Sequence, residues 1–281
     1  MSTDRDHRIA LWFGADGAGS AELPDDELAC VTDGPVAHVI LNRPARRNAM
    51  TARMWQSIAA LAARLDADDA VRLIVFRGAG EQAFSAGADI TEFREVYADA
   101  ERTRRYNGDV RAAQGAVERL SKPVLAMIRG ACVGGGCGLA LCCDLRFASE
   151  DARFGIPPAR LGTAYGPAET RTLLSLVGAG RAKDMLFSGR LLPAAEAYAI
   201  GLIDRVCPGG ELEQQVADYA RVLLANSGQS IRTAKRMVNA LTGVDARLEQ
   251  ALHAEYEASF ASADFREGYR AFVEKRRPRF G

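Results

Sequence analysis

Two glycine turns hold the residues best placed to do chemistry in this chain of 281 residues. One is FSAGADI at 84–90, and the other is the GGG run at 134–136. Each follows a stretch that reads as a β-strand and opens one that reads as a helix. Unpaired backbone N–H groups and the positive helix end converge at such a junction. Gly134, Gly135 and Gly136 leave the backbone bare, so a ligand oxygen can approach it closely. Close packing of a helix on a sheet is the other reading of the same residues. Neither turn reads GxGxxG followed by an acidic strand end, so a dinucleotide is a poor match.

The remaining reactive side chains fit structural roles better. Asp89 directly follows the first turn and can cap a helix there, and Asp144 sits in the CDLRFA passage from helix to strand. His7 lies in the opening segment, His38 in the first strand and His253 in a late helix, none of them inside a glycine motif. Six cysteines occur, at 30, 132, 137, 142, 143 and 207. Four of them fall in an Ala/Gly/Leu run, where a free thiol is a small core filler. Adjacent Cys142 and Cys143 lack the paired spacing of a zinc site, and no metal is expected.

Lys+Arg and Asp+Glu both number 36, so the formal net charge is zero. That balance gives no electrostatic reason to expect nucleic acid or an anionic membrane as a partner. The first residues lack an apolar run long enough for a cleaved signal, and no later segment is apolar enough to span a bilayer. The expected location is the cytoplasm.

These turns need elements to position them. Residues 1–27 show no sustained period and read as a loose extension. VAHVIL, 36–41, fits a buried strand, and NRPARRN after it is rich in turn formers. Met54, Ile58, Leu61 and Leu65 share one helical face, with Thr51 as N-cap. VRLIVFRG, 71–78, returns to a strand. The section from Glu92 to Arg105 is dominated by charge and reads as broken, whereas 109–120 is a regular helix stopped by Lys122-Pro123. PVLAMIRG then repeats the strand, and GGG repeats the turn before a helix. LRFAS and ARFG are short strands, and helices are expected at 167–176 and 181–187. Strands become scarce beyond them. The fold class is therefore α/β, with an α/β core over 28–205 and a helical C-terminal region over 206–281 that packs on the core or on another subunit.

Six segments together resemble the enoyl-CoA hydratase/isomerase, or crotonase, family: NRPARRNAM, AFSAGADI, KPVLAMIRGACVGGGCGLALCCDLRFAS, FGIPPARLG, LFSGRLLPAAEAYAIGLIDRV and FREGYRAFVEKRRPRF. The resemblance implies a spiral of repeated ββα units with a helical C-terminal region, assembled as a homotrimer or a dimer of trimers. It also implies an acyl-CoA thioester as substrate, with coenzyme A as part of that substrate and no separate cofactor. By motif, the backbone N–H groups of Ala88 and Gly135 form an oxyanion hole. Ala86, Asp89 and Ile90 of the same turn are candidate coenzyme contacts. So are Arg43, Arg46 and Arg47 of the preceding loop, and Phe272 and Lys275 near the C-terminal EKR motif.

The acid-base positions depart from the hydratase pattern. Gly138 stands where GGGCE has a glutamate, and Pro158 stands where FGxPE has one. Neither side chain can hold a water or move a proton. LGTAY, ending at Tyr165, resembles the LGxPY of methylmalonyl-CoA decarboxylases, although those also carry a histidine in the first turn where this chain has Ala88. Glu169 lies in GPAETRTL, where many relatives have glycine, and Glu92 and Glu95 adjoin the first turn. The residues thus favour isomerisation or decarboxylation over water addition, with Tyr165 and Glu169 as the catalytic candidates. A catalytically silent acyl-CoA-binding protein is the alternative.

Overall fold

The computed structural model describes residues 21–161, 164–242 and six positions between 263 and 279. Two sheets carry the fold. The larger has seven strands in the order β1 (Ala21–Asp25), β2 (Leu28–Asp33), β3 (Val36–Leu41), β4 (Leu73–Gly78), β6 (Val124–Ile128), β8 (Leu145–Ser149) and β11 (Arg205–Cys207). The smaller runs β10 (Leu192–Pro193), β9 (Arg153–Gly155), β7 (Ala131–Val133) and β5 (Ala83–Ser85). β1, β2 and β3 form an antiparallel meander; from β3 to β11 the large sheet is parallel, as are β5, β7 and β9 in the small one.

The repeat follows from this order. β4 and β5, β6 and β7, and β8 and β9 are successive pairs, each giving one strand to each sheet, and each pair stacks parallel on the one before. Val36–Leu41 is a strand because both of its faces are covered, which a continuous apolar run tolerates. Its His38 is fully buried.

Helix α1, Ala52–Ala67, lays Met54, Trp55, Ile58, Leu61 and Leu65 into the core, and Thr51 caps it by accepting from the Met54 N–H at 3.1 Å. After the short α2, Phe93–Val96, comes α3, Ala100–Glu118, which packs against α1. α4 is Gly135–Leu141, α5 is Pro167–Ser188 and α6 is Ala194–Ala199. α7, Leu212–Ala225, and α8, Gly228–Thr242, follow.

Three expectations change. The segment read as loose before Leu28 contains β1, which pairs with β2. The section read as broken is helical from Ala100, because Asp99 caps it by accepting from the Glu101 and Arg102 N–H groups at 2.9 and 2.8 Å. Tyr106, Ala113 and Val117 then bury one side of a helix whose other positions are polar. The helices expected at 167–176 and 181–187 are the two halves of α5, interrupted at Gly178 (φ 75°).

The chain divides into two compact units. One runs up to Leu120 and over Val124–Val216, carrying both sheets and both glycine turns; the other takes Ser121–Pro123 and the chain from Ala217 on. All six cysteines are buried free thiols. Among the described residues no helix is long and apolar enough to cross a membrane, and no group of three His, Cys, Asp or Glu side chains is placed to hold a metal.

Candidate active site

The first turn leaves β5 at Ala86 and is fastened on both sides. The Ala86 N–H donates to Arg47 O (2.9 Å), the Gly87 N–H to Ser85 Oγ (3.2 Å) and the Asp89 N–H to Met50 O (2.9 Å), while Gly87 O accepts from the Met50 N–H (2.7 Å). Gly87 adopts φ 101°, which only glycine reaches easily. Among four consecutive amides, only that of Ala88 finds no acceptor among the described residues.

The second turn is built differently. The Gly134 N–H is fixed to Gly155 O at 2.8 Å, and a positive φ of 54° sends the chain into α4. Gly135 is the first residue of that helix, so its N–H has no intrahelical acceptor. A Cβ on Gly135 would come to 3.9 Å from the Ala88 N. The two turns therefore abut, and the two amide groups without acceptors belong to one place. Both readings of the glycines apply: a Cβ on Gly136 would lie 2.5 Å from Ser85 Cβ, so that glycine is there for packing.

Asn48 and Arg43 hold the first turn from behind. Asn48, buried, donates to Ala79 O (3.0 Å) and Ala83 O (2.7 Å) and accepts from the Arg43 N–H (3.0 Å). The Arg43 guanidinium bonds Ala49 O at 2.6 Å and forms ion pairs with Asp89 at 2.7 Å and Glu27 at 3.0 Å. Burial alone would raise the Asp89 pKa, but hydrogen bonds from Thr91 and Arg43 outweigh it and hold the carboxyl below its ordinary range. Asp89 also caps the short turn Ile90–Glu92. The geometry thus uses Arg43 and Asp89 to brace the turn, whereas Arg46 and Arg47 remain exposed on the loop, with Ala86 and Ile90 exposed nearby.

One helical turn beyond Gly135, Gly138 opens onto a cavity of about 180 Å³. A Cβ at Gly138 would meet Gln114 Nε2 at 2.7 Å and the Tyr165 hydroxyl at 2.9 Å. The space that a side chain at 138 would take is therefore filled by a phenol and a carboxamide. Tyr165 and Glu169 both line the cavity, and the Tyr165 hydroxyl and Glu169 Oε2 are buried with no hydrogen-bond partner among the described residues. Burial pushes the Tyr165 phenol well above its ordinary value, and the neighbouring Cys137, Cys142 and Glu169 push it the same way. It is a neutral donor at physiological pH. Glu169 folds back against bare Gly166 in the first turn of α5, where the helix end favours a carboxylate.

Pro158 lies in the turn Pro158–Leu161 and supplies no acid. Glu92 accepts from the Ala52 N–H at 2.8 Å at the start of α1, and Glu95 meets Arg102 at 3.9 Å on the surface. Asp144 accepts from the Val124 N–H at 2.7 Å, a structural bond. Phe272 and Lys275 lie outside the described residues. Gln114 was not among the expected residues. Its signal was positional: 111, 114, 115 and 118 fall at i, i+3, i+4 and i+7, one face of α3.

Interleaved parallel sheets with two abutting glycine turns, each offering an amide without an acceptor, define a protein of the crotonase class. The enoyl-CoA hydratase/isomerase family matches residues 32–281, and the chain belongs to that family. It is 34% identical to a short-chain-enoyl-CoA hydratase of Clostridium acetobutylicum, over 87% of this chain and 94% of that one. It is 37% identical to a putative enoyl-CoA hydratase of Thermus thermophilus, over 89% and 99%. Among solved structures, a putative enoyl-CoA hydratase/isomerase family protein from Hyphomonas neptunium superposes with a TM-score of 0.87 at 41% identity, covering 91% of this chain and 97% of that chain.

Proposed function

We propose that this protein is a cytoplasmic acyl-CoA-processing enzyme that stabilises a thioester enolate and carries out isomerisation or decarboxylation in place of ordinary hydration. The observation that carries the reading is the pair of unbonded amides, Ala88 and Gly135, at abutting turns. Removing an α-proton, or an α-carboxylate as CO₂, drives charge onto the thioester oxygen. Two fixed N–H donors stabilise that charge more than the ground-state carbonyl. Losing one such donor raises the barrier by about 3 kcal/mol.

Glycine at 138 and proline at 158 leave no carboxylate to hold an attacking water. In their place Tyr165 donates a hydrogen bond to the acyl group, and Glu169 is the group that takes up or returns a proton. A phenol kept neutral by burial suits orientation of a leaving carboxylate better than water activation. Arg46, Arg47, Ala86 and Ile90 flank the coenzyme in this reading. Phe272 and Lys275 are the further coenzyme contacts that the family resemblance implies, and the chain assembles as a homotrimer or a dimer of trimers.

The test compares wild type, Tyr165→Phe and Glu169→Gln on crotonyl-CoA, a 3-enoyl-CoA and methylmalonyl-CoA, with affinity for an unreactive thioester measured separately. Turnover of one of the last two, lost in a variant that still binds, is the expected result. Hydration of crotonyl-CoA at about 10⁴ M⁻¹s⁻¹ or above would refute the reading. Binding without turnover of any thioester would mark a silent acyl-CoA-binding protein. Lys275→Ala should weaken coenzyme affinity, and unchanged affinity would remove that residue from the site.

A further inference from the structure

The cavity beside Gly138 carries more positive charge than enolate chemistry needs. Arg111, Arg119 and Arg171 all border it, and none has a carboxylate partner among the described residues. Arg119 is the best placed of the three. Helix α3 presents Gly115 to the cavity with no side chain, and Arg119 Nη1 lies 2.8 Å from where a Cβ on Gly115 would sit. The guanidinium is thus folded against the bare helix at the cavity's edge, while Arg119 remains exposed to solvent. Beside it, the nearly buried Gln114 carboxamide and the buried Tyr165 hydroxyl bring two neutral donors to one point next to Gly138.

Two carboxylates border the same cavity, against three guanidinium groups. Glu118 accepts from the Thr172 hydroxyl at 3.1 Å, and Glu169 is folded onto the start of α5. An acyl chain ending in a methyl group would leave the buried Tyr165 hydroxyl facing hydrocarbon and would make no use of the three exposed arginines that border the cavity. An unpaired buried hydroxyl carries a desolvation cost that a hydrogen-bonding ligand removes. Gly138 is three residues along α4 from Gly135, about 4.5 Å of rise. The cavity therefore begins one helical turn from the amide that faces the thioester oxygen, where the far end of a short acyl group lies.

We propose that the acyl group handled here ends in a carboxylate, so that the substrate class is the coenzyme A thioester of a short dicarboxylic acid, with Arg119 binding the distal carboxylate beside Gln114 and Tyr165. The inference rests on the enolate reading above for the direction in which the acyl chain points. Arg119 is on this view a specificity residue and takes no part in proton transfer.

The experiment follows α-proton exchange with D₂O by mass spectrometry for glutaryl-CoA and valeryl-CoA, alongside calorimetric binding of both, in wild type, Arg119→Gln and Gly115→Ala. The alanine suits a helix, but its Cβ drives the Arg119 guanidinium from its place. A charge-assisted hydrogen bond is worth roughly ten- to a hundredfold in affinity. Wild type should therefore exchange and bind glutaryl-CoA better than valeryl-CoA by about that factor, and both variants should bring the two close to parity. Equal or better use of valeryl-CoA by wild type would overturn the proposal, as would a glutaryl preference that survives both variants. If neither thioester exchanges, the enolate reading fails, and the binding ratio alone still decides whether Arg119 recognises a carboxylate.

Discussion

Replacing Gly138 by alanine sets two effects of similar size against each other. Within helix α4 the change adds helix propensity of about 1 kcal/mol. The new Cβ, however, would lie 2.7 Å from Gln114 Nε2 and 2.9 Å from the Tyr165 hydroxyl. Gln114 is the end of a flexible chain and can swing into the cavity. Tyr165 cannot yield in the same way, because its hydroxyl moves only with the whole ring. Overpacking of this kind costs about 1–3 kcal/mol, so the expected net effect is a loss of about 1 kcal/mol. In a Tyr165→Phe background the obstructing oxygen is gone, and the same substitution should be neutral or stabilising by up to about 1 kcal/mol. Coupling between the two sites is then about 1–2 kcal/mol, well above the additivity error of distant sites. Denaturant unfolding of the four proteins at one protein concentration measures it. Stabilisation by Gly138→Ala in both backgrounds would refute the packing argument. By the same geometry, Gly138→Glu should not restore crotonyl-CoA hydration, since the glutamate has no room to reach the acyl group.

Asn48→Ala strands the Ala79 and Ala83 carbonyls and should destabilise by about 1–3 kcal/mol for each buried acceptor left unpaired; denaturant midpoints unchanged within 0.5 kcal/mol, about the spread of a neutral surface change, would contradict this. His38 is held neutral by burial first and by the Arg77 charge second, with its pKa lowered to about 3. Its unfolded form takes a proton below about 6.5, so its contribution is intact above that pH and is lost at up to about 1.4 kcal/mol per pH unit as pH falls towards 3. An NMR titration should show no His38 midpoint between pH 8 and 5, and a midpoint near 6.5 would disprove the burial. The Asp89 pKa is depressed, so its ion pair with Arg43 stabilises the fold above the unfolded value of about 3.9 and is lost as pH falls through the lower folded value. Asp89→Asn should therefore be destabilising at pH 7 and nearly silent below the folded-state value; a difference that persists there would mean the side chain acts through packing.

Local pattern carried much of the architecture. VAHVIL is β3 to the residue, and the repeated strand, glycine turn and helix is the repeat that interleaves the two sheets. What the pattern missed depends on partners distant in the chain. β1 exists because β2 lies beside it, and no period within Ala21–Asp25 announces that. α3 reads as a charged, broken stretch until its cap at Asp99 and its burial against α1 are known. The motif located the Ala88 and Gly135 turns, yet it offered Arg43 as a coenzyme contact and said nothing of a brace. The bracing role rests on the Asp89 and Glu27 carboxylates around its guanidinium, which come from distant parts of the chain. Gln114 was least legible, since a glutamine on an otherwise polar helix gains its meaning from the side chain missing at Gly138 on another helix.

The glycines of α4 show how one composition serves four physical ends. Gly134 is needed for its positive φ, Gly136 for contact with Ser85, Gly135 for an open N–H beside Ala88, and Gly138 for the room it leaves to Tyr165 and Gln114. A helix so rich in glycine is poor by propensity, each glycine costing about 1 kcal/mol relative to alanine. Burial of Cys137, Leu139, Ala140 and Leu141 in the core is what holds it. That trade places the consequences of change in different layers. Losing the fit at Gly136 would part the helix from β5 and so separate the two amides. Changing Gly138 leaves those amides where they are and alters the cavity that Tyr165 and Gln114 line. The surroundings of position 138 can therefore change while the two glycine turns stay fixed, so a chain can match the family over residues 32–281 and still carry glycine at 138.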